Sequence, residues 1–213
     1  MTESNMMNDP KQATIDVYNR TARLWDESKQ LFFWKEKFDD FVQLVQGKRV
    51  IDIGCGTGKD AHLFIDAGFD YVGIDLSKKM LEVAKEREPR ANFQLMDLYH
   101  LDFPSRSFDG FWADTSLLHV PKKDIGHVLE SIKKLLKTGG VGFISMKQVG
   151  DKGNVVDGIA HEHRFGMEFD RYFALYTIDE FKHILEDVGF AIVKNHVYKK
   201  ANKNWLCYFV SNA

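Results

Sequence analysis

The segment Val50-Ile51-Asp52-Ile53-Gly54-Cys55-Gly56-Thr57-Gly58 runs from an apolar stretch straight into a G-x-G-x-G turn. Glycines are needed where a ligand must lie against bare backbone or where φ turns positive. Free N–H groups at the start of the helix that follows would then face a negative or polar group. A dinucleotide site normally reads G-x-G-x-x-G, its third glycine letting the helix pack beside a pyrophosphate. Position 59 here is lysine, so the spacing suits a ligand without phosphates, in which a carboxylate, an ammonium and a ribose are recognised. Alone, the triplet is equally well an ordinary tight turn between a strand and a helix.

Two acids extend the pattern. Asp75 closes the run Val72-Gly73-Ile74-Asp75, and Asp97 follows Leu95-Met96. In a doubly wound sheet both stand beside the glycine loop. Asp75 is placed to accept hydrogen bonds from both hydroxyls of a ribose, and Asp97 to accept from an exocyclic adenine amine. Each acid singly is also readable as a solvated turn residue; together, at successive strand ends, they carry what one nucleoside requires. Farther on, His119 in Ser116-Leu117-Leu118-His119-Val120-Pro121 falls beyond the fourth strand, where ligands gather in such sheets. Its pKa suits a general base, and a structural role at the start of the next helix is the alternative. His161-Glu162-His163-Arg164 forms a further cluster. Two imidazoles from one short stretch do not make a tetrahedral metal site. The cluster is read as a solvated loop or as acceptor recognition, with Arg164 and Arg171 able to pair with an anion.

These residues need a scaffold. Short apolar runs alternate with helical ones: Arg49 to Ile53, a helix to about Ala67, Tyr71 to Ile74, a helix from Ser77, Phe93 to Met96, Gly110 to Ala113, a helix over Pro121 to Leu136, and Val141 to Met146. The alternation predicts an α/β fold, a Rossmann-like parallel sheet with helices on both faces. Ahead of it, Ile15 to Trp25 and Leu31 to Val45 recur at helical spacing, giving a helical cap over 11–46 that is either a packing layer or a lid. Residues 1–10 are polar and read as a frayed tail. Residues 148–170 are Gly-rich, charged and unperiodic, and are expected to form a long loop on the substrate side. Thr177-Ile178-Asp179-Glu180 spells a capping box for a last helix, and Phe190 to Tyr198 with Trp205 to Val210 predicts an antiparallel hairpin. The aromatic residues Phe32, Phe33, Trp34, Phe165, Phe169, Tyr172 and Tyr176 are candidates for an apolar acceptor wall or simply for core.

The chain has 213 residues, 44% of them hydrophobic, enough for one domain over 11–213. Its 29 basic and 31 acidic residues leave a formal charge of −2, so no large positive field is present to gather duplex nucleic acid. Cys55 and Cys207 lie far apart and are read as free thiols in a cytoplasmic protein. The first residues lack a signal-peptide pattern, and no run approaches a membrane span.

On the stretches Val50 to Asp60, Val72 to Leu81, Phe93 to Asp102, Ser107 to His119 and Leu135 to Met146, the chain resembles the class I S-adenosylmethionine (SAM)-dependent methyltransferases. Phe103-Pro104 with Ser107-Phe108-Asp109 resembles the run into that family's fourth strand, and Leu136-Lys137-Thr138-Gly139-Gly140 the turn before its fifth. The resemblance implies a seven-stranded sheet, mostly parallel, with an antiparallel C-terminal hairpin strand. It also implies methyl transfer from SAM to a small-molecule acceptor, with S-adenosylhomocysteine as product, by a monomer or homodimer. Asp52 and Gly54 to Gly58 would then lie near the methionine portion, Asp75 on the ribose, Leu76 and Met80 beside the adenine, and Asp97 and Leu98 at its amine and ring edge. Asp114 would lie near the sulfonium or the acceptor, and Tyr18 and Trp25 would belong to a lid. Adenine amino-methyltransferases resemble one another in a D/N-P-P-Y/F signature, where this chain has Ala113-Asp114-Thr115-Ser116. Lys199, Lys200 and Lys203 leave only a small basic patch, so an RNA or protein methyltransferase stands as an alternative. So does a non-catalytic SAM-binding module. Lys59 argues against a nicotinamide dehydrogenase.

Overall fold

The computed structural model of the chain describes residues 9–28, 35–150, 153, 155–200 and 203–212. Residues 1–8 of the expected tail, and Leu31, Phe32, Phe33 and Trp34, lie outside them. Two helices come first, α1 (Pro10–Glu27) and α2 (Lys35–Leu44). Pro10 opens α1 instead of closing the tail, because a proline at the first helical position gives up an N–H that has no partner there anyway. Asp9 caps it, its side chain accepting from the Lys11 amide at 3.0 Å.

The sheet is built from β1 (Arg49–Ile53), β2 (Asp70–Asp75), β3 (Asn92–Leu95), β4 (Phe108–Asp114), β5 (Leu136–Lys147), β8 (Ala191–Lys200) and β9 (Lys203–Ser211). Their order is β3-β2-β1-β4-β5-β9-β8. β1 pairs in parallel with β2 and with β4, β4 in parallel with β5, and β9 antiparallel with both β5 and β8. The chain reverses its direction of travel between β1 and β4, and ligands bind beyond the carboxyl ends of strands at such a switch point.

Alternation along the strands fills both faces. In β4, Phe111 and Ala113 join one cluster with Ile51, Ile53 and residues of α5 (Ile125–Leu135) and α6 (Ile178–Asp187). Trp112 points the other way, into a cluster with Phe41, Phe64 and Phe143 under α2 and α3 (Ala61–Asp66), and stacks on Phe143 with ring centroids 4.0 Å apart. Gly142, paired with Phe111 across β4 and β5, leaves the space that ring fills: a Cβ there would meet it at 1.9 Å. Helix α4 (Lys78–Arg87) is capped by Ser77, and the capping box of α6 is complete. Helix α5 begins at Ile125 instead of Pro121, because Leu117–His119 forms a 3-10 turn and Pro121 to Asp124 a further turn closed by the Pro121 carbonyl.

The largest departure is at 148–170, where a loop was expected. Strands β6 (Asp157–Arg164) and β7 (Met167–Ala174) form a separate hairpin. Its connection is the two residues Phe165 and Gly166, with φ 57° and 70°, the conformation that matches the right-handed twist of paired strands. Alternation was disguised because the inward face carries Glu162, Arg164 and Arg171 as well as Phe169 and Phe173, so polarity does not mark the faces.

Candidate active site

A cavity of about 870 Å³ opens at the carboxyl ends of β1, β2, β4 and β5, at the upper end of the range for small-molecule sites. Helix α1 crosses it, held on one side to α4 and on the other to β7. Asn19 accepts from the Ser77 hydroxyl at 2.8 Å, Thr14 accepts from the Tyr172 amide at 2.9 Å, and Lys11 pairs with Asp97 at 2.5 Å.

In the glycine loop Gly54, Gly56 and Gly58 all have positive φ (72°, 56° and 66°), which explains the spacing of two residues between them. A Cβ on Gly54 would sit 2.3 Å from the Ser116 Cβ and one on Gly58 2.8 Å from the Phe93 ring, whereas Gly56 has open space in front of it. The amides of Gly54 and Cys55 donate to the Ile74 carbonyl, and that of Gly58 to the Cys55 carbonyl. The loop therefore offers a bare surface more than a ring of free N–H groups. Cys55 is buried, and burial pushes its thiol well above the ordinary value.

Asp75 sits across from Gly56. Its Oδ2 accepts from the Gly56 amide at 2.9 Å and its Oδ1 from the Ser77 amide at 2.8 Å. Burial raises its pKa, and these backbone donors oppose the rise. The second lone pair of each oxygen is left for a ligand. Leu76, Met80, Asp97 and Leu98 continue this wall. Asp97 already accepts from Lys11 and, at 3.1 Å, from the Tyr99 amide.

Asp52 and Gly58 stand behind the loop, off the cavity wall. Asp52 is buried, accepts from the Tyr71 hydroxyl at 2.7 Å and is raised well above the usual carboxylate range by burial first and by Asp60 next. Thr57 does line the cavity, as does Asp114, which binds Lys59 at 2.6 Å and accepts from the Ser145 hydroxyl. Burial works against the Lys59 charge, but Asp114 and Asp60 outweigh it and raise its pKa. Thr115 next to it has φ 58°, an unusual conformation for a β-branched residue, pinned by its amide donating to the Ser145 carbonyl at 3.0 Å.

His119 reaches the cavity with both ring nitrogens engaged. Nδ1 lies 2.6 Å from the Tyr172 carbonyl oxygen, which can only accept, so Nδ1 carries the proton. Nε2 then accepts from the Tyr18 hydroxyl at 2.8 Å, and Tyr18 in turn accepts from Arg171 Nη1 at 2.6 Å. Burial, then the Arg171 charge, pushes the pKa of His119 down to about 3. In the fold it stays neutral, whereas in the unfolded chain it takes up a proton below about pH 6.5. The unfolded state thus binds more protons between pH 6.5 and 3, and stability falls with falling pH by up to about 1.4 kcal/mol per unit from this group. His119→Gln should flatten that acid limb in urea melts run across the window; an unchanged slope would contradict the assignment.

Arg164 faces the cavity and stacks on Trp25, its guanidinium 3.8 Å from the ring centre. His161 and His163 do not share that position. They alternate onto the solvent face of β6, where His161 Nδ1 donates to Asp170 at 2.7 Å, a bond that raises its pKa. Tyr172, a candidate for the acceptor wall, lines the cavity; Lys147, Phe173 and Trp205 line it too and were not singled out for it by the sequence, since strand ends and a hairpin far apart in the chain bring them together. Ser116 Oγ and Trp25 Nε1 are buried with no hydrogen-bond partner among the described residues, a cost of about 1–3 kcal/mol each unless a polar ligand meets them.

Residues 50–140 match the family model for the methyltransferase domain. Over that stretch the chain is similar to the methyltransferase domain, and its fold is that of SAM-dependent methyltransferases of solved structure. It is 35% identical over 112 residues to methyltransferase GfsG of Streptomyces halstedii, covering 49% of this chain and 40% of that protein. Across the first curated relatives it matches, the chain spans about half of their length. Among solved structures, a SAM-dependent methyltransferase of Methanosarcina mazei superposes with a TM-score of 0.73 at 18% identity, covering 85% of this chain and 99% of that one. The 1,6-didemethyltoxoflavin-N1-methyltransferase of Burkholderia thailandensis, solved with its namesake compound and S-adenosylhomocysteine, superposes with a TM-score of 0.67 at 17% identity, covering 100% and 91%. At these identities the superpositions speak for the fold. Within the described residues, no helix is long and apolar enough to cross a membrane.

Proposed function

We propose that this chain is a class I SAM-dependent methyltransferase that binds SAM and methylates a small molecule in the cavity under α1. The observation that carries the reading is the pairing of Gly56 and Asp75: a bare backbone turn with a ribose-ready carboxylate held over it by two amides. The residues fit the group. Asp75 would hold the ribose, Leu76, Met80 and Leu98 would sandwich the adenine, and Asp97 keeps acceptor capacity for its amine beside Lys11. Lys59 and Asp114, of opposite charge, stand where an amino acid's carboxylate and ammonium would be met, and the Ser116 hydroxyl, without a partner among the described residues, faces the same region.

When bound, SAM supplies an activated methyl group, so the protein needs no nucleophile of its own. The protein's task is to align the acceptor and keep water out. Tyr18 and Trp25 on α1, with the β6–β7 hairpin, close the cavity over the strand ends. His119, neutral and bonded on both sides, positions Tyr18 and takes no proton. That replaces the general-base role considered from its sequence position. Incubation with methyl-labelled SAM and a panel of small-molecule acceptors tests the reading: label is expected in one acceptor class. Binding of SAM with no transfer to any acceptor would favour the non-catalytic module. A cytoplasmic monomer or homodimer acting away from nucleic acid completes the proposal, in line with the near-neutral charge.

A further inference from the structure

Resting on the reading that the cavity takes SAM, we propose that Lys11 binds the adenine ring directly, donating a hydrogen bond to one of the two ring nitrogens that flank the amine. The helix that covers the site thus supplies a residue that determines which base is accepted.

The edge of an adenine alternates in kind: the amine donates, and the ring nitrogens on either side of it accept. A carboxylate can only accept, so Asp97 reads the amine and not its neighbours. A donor standing beside Asp97 completes the pattern. The Lys11 ammonium is 2.5 Å from Asp97 Oδ2. An amine that donates to the same carboxylate stands next to that ammonium, with a ring nitrogen in its reach. Of the three N–H groups an ammonium carries, the bond to Asp97 is the one that a described residue receives.

The ammonium is held at this point from several sides. Lys11 lies in the first turn of α1, where its amide donates to the capping Asp9 at 3.0 Å. The Tyr99 ring lies against the ammonium, 4.5 Å from its centre, and Tyr99 is fixed in turn by its hydroxyl donating to Asp124 at 3.1 Å. Asp9, His100, Lys123 and Asp124 are the other charged or titratable groups lining this end of the cavity. Asp9 and Asp124 accept the bonds just named, Lys123 is exposed, and the His100 side chain, 4.0 Å from Asp97, is turned to solvent. Asp97 is therefore the carboxylate that Lys11 shares with the ligand. Since Lys11 belongs to α1 and Asp97 follows β3, a bound adenine joins the covering helix to the sheet.

Calorimetric titration of the wild type and Lys11→Met tests this with S-adenosylhomocysteine and its 1-deaza, 3-deaza and 7-deaza analogues, in each of which a C–H replaces one ring nitrogen. In the wild type, the 1-deaza or the 7-deaza compound is expected to bind about tenfold more weakly than the parent. That is the low end for a hydrogen bond from a charged donor, because the Lys11 side chain is 38% exposed. In Lys11→Met this penalty should fall below about threefold. The 3-deaza compound, altered across the ring from the amine, should carry one and the same penalty in both proteins. Ratios taken within each protein cancel any loosening of α1 and any release of Asp97 that the substitution brings. If neither the 1-deaza nor the 7-deaza penalty falls, or if the 3-deaza penalty falls with them, Lys11 only fastens α1 and the proposal is overturned. An Asp97→Ala protein that takes up S-adenosylhomocysteine as tightly as the wild type would overturn it too, with the methyl-transfer reading left standing. Failure of the wild-type protein to bind S-adenosylhomocysteine is a different result, and removes that reading together with the proposal.

Discussion

Asp75→Ala should weaken S-adenosylhomocysteine binding by about a hundredfold or more. The carboxylate is expected to receive both ribose hydroxyls, and hydrogen bonds to a charged group contribute about 1.5–3 kcal/mol each. Two such bonds correspond to roughly two to four orders of magnitude in affinity. The same oxygens also brace the loop through the Gly56 and Ser77 amides, so the substitution removes both the ligand's partner and the support of the turn. Asp75→Asn separates these effects. It keeps the shape and one acceptor but presents an NH₂ to a donor on the other side, so an intermediate loss is expected. Calorimetric titration of the three proteins reads the series, and an Asp75→Ala protein that binds as the wild type does would contradict the site.

The second large effect concerns α1. Arg171→Met should destabilise the protein by about 3–5 kcal/mol, since it leaves the Glu162 carboxylate, 11% exposed, without the cation that meets it at 2.6 Å. For a chain of this size that corresponds to a melting temperature lower by about 10 °C. Tyr18 loses the donor that holds its hydroxyl, and with it goes one of the contacts fastening α1 to the hairpin. Arg171→Met/Glu162→Leu removes both charges and should recover most of the loss, because burying an apolar pair costs far less than burying a carboxylate that has lost this cation. A single variant that melts within two degrees or so of the wild type, or a double variant no better than the single, would show that the pair does not carry this weight.

The two predictions differ in how visible their residues were beforehand. Asp75 and the glycine loop are set by local rules: a buried strand reads as a continuous apolar run, a tight turn demands glycine where φ is positive, and a strand end places its last side chain at the sheet's edge. The same is true of the Ser77 cap and the Thr177 capping box. The pairing of Glu162 with Arg171 escaped, though both residues had been noted, because it depends on a hairpin whose inward face is partly charged, which hides the two-residue period. His119, read from the sequence as near the ligand, lines the cavity, but what it can do there is decided by Tyr18 and the Tyr172 carbonyl, 101 and 53 residues away. Lys11 reaches Asp97 across 86 residues, and Lys147 meets the rings of Phe173 on β7 and Trp205 on β9. No spacing rule spans such distances. His161 and His163 drew notice by composition, yet the alternation of β6 turns them to solvent and leaves Arg164 facing the cavity.

The central claim is that the cavity accepts an adenosyl group without phosphates. Calorimetric titration of the wild-type protein with S-adenosylhomocysteine and, separately, with NAD tests it most directly. One S-adenosylhomocysteine per chain, with NAD giving no saturable heat, is the expected outcome. Saturable binding of NAD alone, or of neither ligand, would contradict it.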